Sequence, residues 1–250
     1  MGVGRARVLR AERNGAEKCT ASREPRRRNS IQRVVIGFVP AAILVWLGVV
    51  AAVNALRGEA LLTANPSWPI AVEVVREILY GAFLLAAAVV LWTGRNPRFR
   101  DGRARVIVAS LSASFLLVGV GHLPMGPVVW EGSVRSIQIG ILITVVGAAL
   151  AVAALASLRS NFSIVPEAQS LVVTGPYRSI RHPMYLAELL MMFGIAWSDL
   201  RITYLIGSAG VLCLQVYRIR VEERLLGTAF PSAYKEFVAR TRYRLIPGVW

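Results

Sequence analysis

Four apolar runs constrain this chain more than any other feature: Val34 to Leu56, Val74 to Trp92, Val106 to Leu123 and Ile137 to Leu158. A helix rises about 1.5 Å per residue, so each run can cross a hydrocarbon core about 30 Å thick, the shorter ones with tilt or snorkelling. Two shorter runs follow, Pro183 to Trp197 and Ile202 to Tyr217, joined by Ser198-Asp199-Leu200-Arg201. So short a join predicts a tight helical hairpin. The expected fold is all-α, a polytopic integral membrane protein of about six transmembrane helices with the last two close-packed.

Charge placement gives the topology. The chain is 55% hydrophobic, with a mean hydropathy of +0.54 and a formal charge of +15. In a soluble protein that charge would suggest nucleic acid; here its distribution matters more. The tail (1–33) carries ten basic residues, Thr93 to Arg105 five, Arg159 to Tyr185 three and Arg218 to Trp250 seven. With six spans, these 25 of the 29 basic residues fall on one side, and only Arg57, Arg76, Arg135 and Arg201 on the other. Basic loops stay in the cytoplasm, so both termini are expected there. Three regions follow: a basic disordered tail (1–33), transmembrane helices one to four (34–158) and a polar-rich functional region (159–250). The tail, with "EPRRRNS" at 24–30, reads as a positive-inside anchor at the lipid surface, with no nucleic-acid partner expected. A cleaved signal peptide is not expected, although "AVNA" at 52–55 imitates a cleavage site, because the first apolar run is too long.

Several motifs are missing. Cys19 and Cys213 lie in the tail and in an apolar run, with neither a disulfide framework nor metal-ligand spacing, and no metal is expected. The glycines of "GVGHLPMG" around His122 follow no strand and form no nucleotide loop; His122 reads as an interfacial or loop histidine. The sequence contains no P-loop and no G-x-S-x-G.

Polar residues gather instead at two places on the expected cytoplasmic side. In "GPYRSIRHPMY" (175–185), Gly175-Pro176 reads as a turn and His182-Pro183 as a helix start, since proline fits the first helical position. His182 and Tyr185 flank a helix N-terminus, which favours an anionic group. A belt of Tyr and Arg at headgroup depth would look the same. In "YRIRVEERLL" (217–226), Arg218 and Glu222 share one helix face, with Arg220 and Glu223 pointing elsewhere. They read either as a surface ion pair or as a cation and an anion serving separate ligands.

Together these stretches resemble a known family. "LVVTGPYRSIRHPMY" (171–185) followed by "RIRVEERLLGTAFPSAYKEFVARTRYRLIP" (218–247) is similar to the isoprenylcysteine carboxyl methyltransferases, in the superfamily that includes phospholipid N-methyltransferases. The shared pattern is an LV pair, G-x-Y, R-H-P-x-Y, a hairpin, R-x-x-x-E-E-x-x-L, an aromatic-G-x-x-Y segment and a closing I-P, covering about residues 160–247. The resemblance implies a methyltransferase that uses S-adenosylmethionine, with its cofactor pocket open to the cytosol. It places cofactor contacts on Gln169, Ser170, Leu171, Val172, Tyr177, His182, Pro183, Met184, Tyr185 and Glu222, and the methyl acceptor at Arg218. Arg218 and Glu222 are the expected catalytic pair. Two positions depart from the pattern: Pro231 replaces the glycine after the aromatic residue, and Gln169 replaces a common histidine.

The acceptor class follows from proton chemistry. A carboxylate, with a pKa near 4, is already ionised at neutral pH and needs a positioned cation rather than a base. Arg218 suits that role by its permanent charge and bidentate fork. An amine or thiol must lose a proton, and His182 and Glu222 are the candidate bases. O-methylation of a prenylcysteine-like or other lipophilic carboxylate is therefore expected, with N- or S-methylation of a phospholipid or small molecule as the alternative. A scaffold or transporter is the non-enzymatic alternative. A transporter would show mid-span polar groups or an internal repeat; the mid-span polar content reads as mainly Ser and Thr.

Overall fold

The computed structural model describes residues 38–64, 68–93, 99–100, 103–122 and 127–249. The basic tail, the start of the first apolar run and the His122 side chain lie outside the described residues. Each apolar run folds as a helix: α1 (Val39–Ala64), α2 (Trp68–Thr93), α3 (Ala104–His122), α4 (Val134–Leu158), α5 (Pro183–Ser198) and α6 (Ile202–Ala229). A shorter, polar helix follows, α7 (Pro231–Arg240). Among the described residues four stretches, Val39–Ala64, Val74–Trp92, Val134–Leu158 and Ile202–Ala229, are long and apolar enough to cross a membrane; Ala104–Ser114 and Pro183–Ser198 are shorter apolar helices. Large apolar side chains point outward along them, with Trp46 65% exposed and Ile206 68%. Lipid would cover such a surface at no cost.

Packing runs α1 on α2, α2 on α4 and α4 on α5, while α3 lies along α6. The expected hairpin takes a different form. α5 meets α6 sparsely and packs far more extensively on α4. The reason is the small residues between α4 and α5. A Cβ on Gly194 would collide with the Gly140 carbonyl and the Thr144 hydroxyl, and one on Gly147 would sit 2.9 Å from Met191 N and 3.0 Å from Ala187 O. Where lipid is as apolar as leucine, close backbone approach decides which helices associate, and glycine permits it.

Two short antiparallel ladders lie outside the all-α expectation. β1 (Phe99–Arg100) pairs with β3 (Glu167–Ala168), and β2 (Val128–Glu131) pairs with β4 (Asp199–Arg201). The first joins the α2–α3 connection to the α4–α5 connection; the second joins the α3–α4 connection to the α5–α6 turn. Loops that the arginine pattern assigns to one side are thus tied together, at opposite ends of α4.

Candidate active site

The site forms where α4 ends, α5 begins and α6 reaches its charged end. α4 closes at Arg159, whose φ of 50° turns the chain, and a tight turn over Arg159–Asn161 follows. Residues 162–167 then cross in front of α6, and the Ile164 carbonyl accepts a hydrogen bond from Arg218 Nη2 at 2.8 Å. The turn Gly175–Arg178 forms as its sequence predicts, with Gly175 at φ 59°, where a Cβ would strike Ser157. Pro183 opens α5, as expected.

These elements enclose a partly open cavity of about 60 Å³. Of the predicted residues, Tyr177, His182, Met184, Tyr185, Arg218 and Glu222 line it. Gln169, Ser170, Leu171, Val172 and Pro183 do not. Ser170 Oγ lies one step away, 3.0 Å from Oδ1 of the lining residue Asn161, and Val172 packs on the core. Glu222 accepts a hydrogen bond from Tyr185 Oη at 2.7 Å, and His182 Nδ1 lies 3.9 Å from Glu222 Oε2. Burial, with the Glu222 and Glu188 carboxylates nearby, pushes the Tyr177 phenol well above its usual range, so it stays neutral.

Arg218 and Glu222 are placed separately rather than as an ion pair. Arg218 is 3% exposed, its guanidinium lies 4.8 Å from the Tyr185 ring centre, and Nη1 donates to Gln215 Oε1 at 3.2 Å. Gln215 Nε2 in turn donates to Glu188 Oε2. Arg218 Nε and Ser163 Oγ, both on residues lining the cavity, are buried without a hydrogen-bond partner among the described residues. A buried donor left unpaired is costly, so a ligand acceptor is the natural partner for Arg218 Nε.

Glu188 and Gln215 correct the reading of mid-span polarity as mainly Ser and Thr. Both are buried within apolar helices, Gln215 completely, and the carboxylate is tolerable there because Gln215 links it to Arg218. The detectable signal was an acidic residue in "MYLAELLMMF" and a glutamine in "GVLCLQVY". Glu223, expected to point away, anchors a second network. It accepts from Arg181 Nη1 at 3.0 Å and from Arg244 Nε at 2.9 Å, and lies 3.5 Å from His182 Nε2. Arg181 N and His182 N donate to the Tyr243 and Arg244 carbonyls, so the segment 241–245 straps the start of α5.

Residues 136–233 match the phospholipid methyltransferase family model. That family belongs to the membrane methyltransferase superfamily, with the isoprenylcysteine carboxyl methyltransferases, and the match runs from α4 to the start of α7, less than half of the chain. The match begins inside α4, ahead of the expected boundary at 159, and takes in all six predicted residues on the cavity wall. Over 152 residues the chain is 30% identical to the cobalt-zinc-cadmium resistance protein CzcN of Cupriavidus metallidurans. That alignment covers 58% of this chain and 62% of that protein, so the chain spans less than two thirds of its relative's length. Among the described residues no group of three or more His, Cys, Asp or Glu could hold a metal ion. The spanning helices and the methyltransferase match together describe a multi-pass integral membrane protein.

Proposed function

We propose that this membrane protein transfers a methyl group from S-adenosylmethionine to the carboxylate of a prenylcysteine-like or other lipophilic acid. The supporting observation is Arg218: buried on the cavity wall, oriented by Gln215 and Ile164, with Nε unpaired. In this reading the chain spans the membrane six times and the cavity opens to the cytosol, with both termini on that side.

The wall suits the cofactor chemically. S-adenosylmethionine, when bound, supplies a methyl group activated on a sulfonium cation. Glu222, fixed by Tyr185, offers a negative charge and Tyr177 an aromatic ring, while His182 and Tyr185, stacked with ring centres 5.6 Å apart, form the adjoining wall. Met184 adds apolar wall, and Gln169, Ser170, Leu171, Val172 and Pro183 complete the contacts that the resemblance implies. Arg218 binds and orients the acceptor carboxylate, which needs no base at neutral pH. The rate then depends on in-line alignment and on charge fixed in advance by the fold. Membrane lipids surround the acceptor's hydrocarbon chain.

A second reading, N-methylation of a phospholipid or other amine, is favoured by one observation. Glu188 places a buried carboxylate on the cavity wall, where it could hold an ammonium group and accept its proton. Transfer to a prenylcysteine analogue from pH 6 to 9, with wild type and Arg218→Lys, separates the two. The carboxylate reading predicts no rising limb near neutrality. It also predicts a loss of about ten- to thirtyfold in Arg218→Lys, where the charge stays and the bidentate geometry goes. A rate that climbs tenfold per pH unit, with the variant unaffected, assigns the acceptor to the amine or thiol class.

A further inference from the structure

Behind the strap lies a second, open basin of about 450 Å³, lined by Arg181, Arg220, Glu223, Arg224, Tyr234 and Arg244 among others. Four guanidinium groups face one carboxylate there. Glu223 engages Arg181 and Arg244. Arg220 and Arg224 are exposed and form no ion pair among the described residues; Arg224 Nε only bonds the Arg220 carbonyl, one turn back. The Tyr234 hydroxyl is buried at the basin wall with no hydrogen-bond partner among the described residues. Burial, with Glu223 nearby, raises its pKa, so it remains a donor.

Arg220 and Arg224 stand four residues apart on α6, a spacing at which like charges weakly disfavour each other, so an anion held between them is favourable. The guanidinium fork matches carboxylate and phosphate alike, but a phosphate ester offers three acceptor oxygens and up to two charges, so it can engage two guanidinium groups and the neutral phenol at once. The position is also informative. The basin flanks the charged end of α6, and the residues just beyond the strap include Ile246 and Val249, 48% and 76% exposed. In the six-span reading, that end of α6 lies near the level of the lipid phosphates.

We infer that this basin binds a phosphate group, with Arg220, Arg224 and the Tyr234 hydroxyl as its principal donors and Arg181 and Arg244 as supporting charge. It shares no lining residue with the cavity described above, and the two adjoin where His182 of the cavity and Glu223 of the basin lie 3.5 Å apart. The phosphate can come from a lipid headgroup or from a soluble phosphate ester.

The test uses the full chain purified in detergent. Inorganic phosphate and dihexanoylphosphatidylglycerol are each titrated by calorimetry in a chloride buffer, with wild type, Arg220→Ala/Arg224→Ala and Tyr234→Phe. None of these residues belongs to the proposed methyl-transfer machinery, and melting temperature checks that each variant is folded. Saturable binding of either probe, weakened at least tenfold in the double variant and severalfold in Tyr234→Phe, is the expected result. Binding of the lipid alone assigns a headgroup; binding of both with similar affinity assigns a soluble phosphate. No saturable binding, or binding indifferent to the folded variants, overturns the inference without touching the proposed function.

Discussion

Arg218 gives two of its guanidinium nitrogens to protein oxygens and keeps the third, Nε, for something else. Its neighbours show the same division between groups spent on the fold and groups left for a ligand. Glu222 takes one hydrogen bond from Tyr185, which leaves its other oxygen for a cation. If the cavity holds the cofactor, Glu222→Gln and His182→Ala should weaken S-adenosylmethionine binding at least tenfold, while Arg218→Lys changes it little. Calorimetry on folded variants measures this, and unchanged affinity in the first two would reject the cofactor assignment. Glu188 has a different expectation. Truncating one partner of a buried charge network strands the other, so Glu188→Ala should cost about 3 kcal/mol of stability. A detergent melting curve reads that loss, and an unshifted midpoint would show that Glu188 bears little on the fold.

At the scale of elements, the contact between α4 and α5 positions the site, because α5 carries His182, Tyr185 and Glu188. Gly147→Leu would drive a side chain into the α5 backbone at Met191 and Ala187, and overpacking of this kind costs about 1–3 kcal/mol. Cofactor binding should fall along with the melting temperature, although residue 147 does not line the cavity. The strap depends in turn on Glu223. Glu223→Ala releases Arg181 and Arg244, so amide exchange at 241–249 should speed up while that of α4 stays unchanged. The sequence made much of this legible: the helices by apolar run length, the start of α5 by Pro183, the turn by Gly175. It left two kinds of feature hidden. The ladders are two to four residues long, too short for an alternating pattern, and the α4–α5 contact depends on which small residues face each other across helices. Glu188 and Gln215 were visible as letters, but their pairing requires two helices to be brought together.

For the whole molecule, the arginine pattern and the two ladders bear on the same question. The ladders tie together loops that the charge pattern assigns to the same side, and α5, at 16 residues, would be about 24 Å long, enough to run between the two levels with snorkelling flanks. Reporters fused after Arg57 and Arg135 should therefore lie outside, and those after Arg100 and Trp250 inside. A cytoplasmic signal after Arg135 would break the six-span arrangement. Within such a frame the cavity at the charged end of α6 faces the cytosol, where a soluble cofactor and a lipid-embedded acid can meet. The most direct measurement follows the methyl group itself. Purified protein is incubated with S-adenosylmethionine carrying a labelled methyl and with a prenylcysteine analogue, and the product is then treated with alkali. A carboxyl methyl ester releases its label as volatile methanol, and release of nearly all of it is the predicted result. A label that resists alkali would place the methyl on nitrogen or sulfur and contradict the assignment of Arg218 to an acceptor carboxylate.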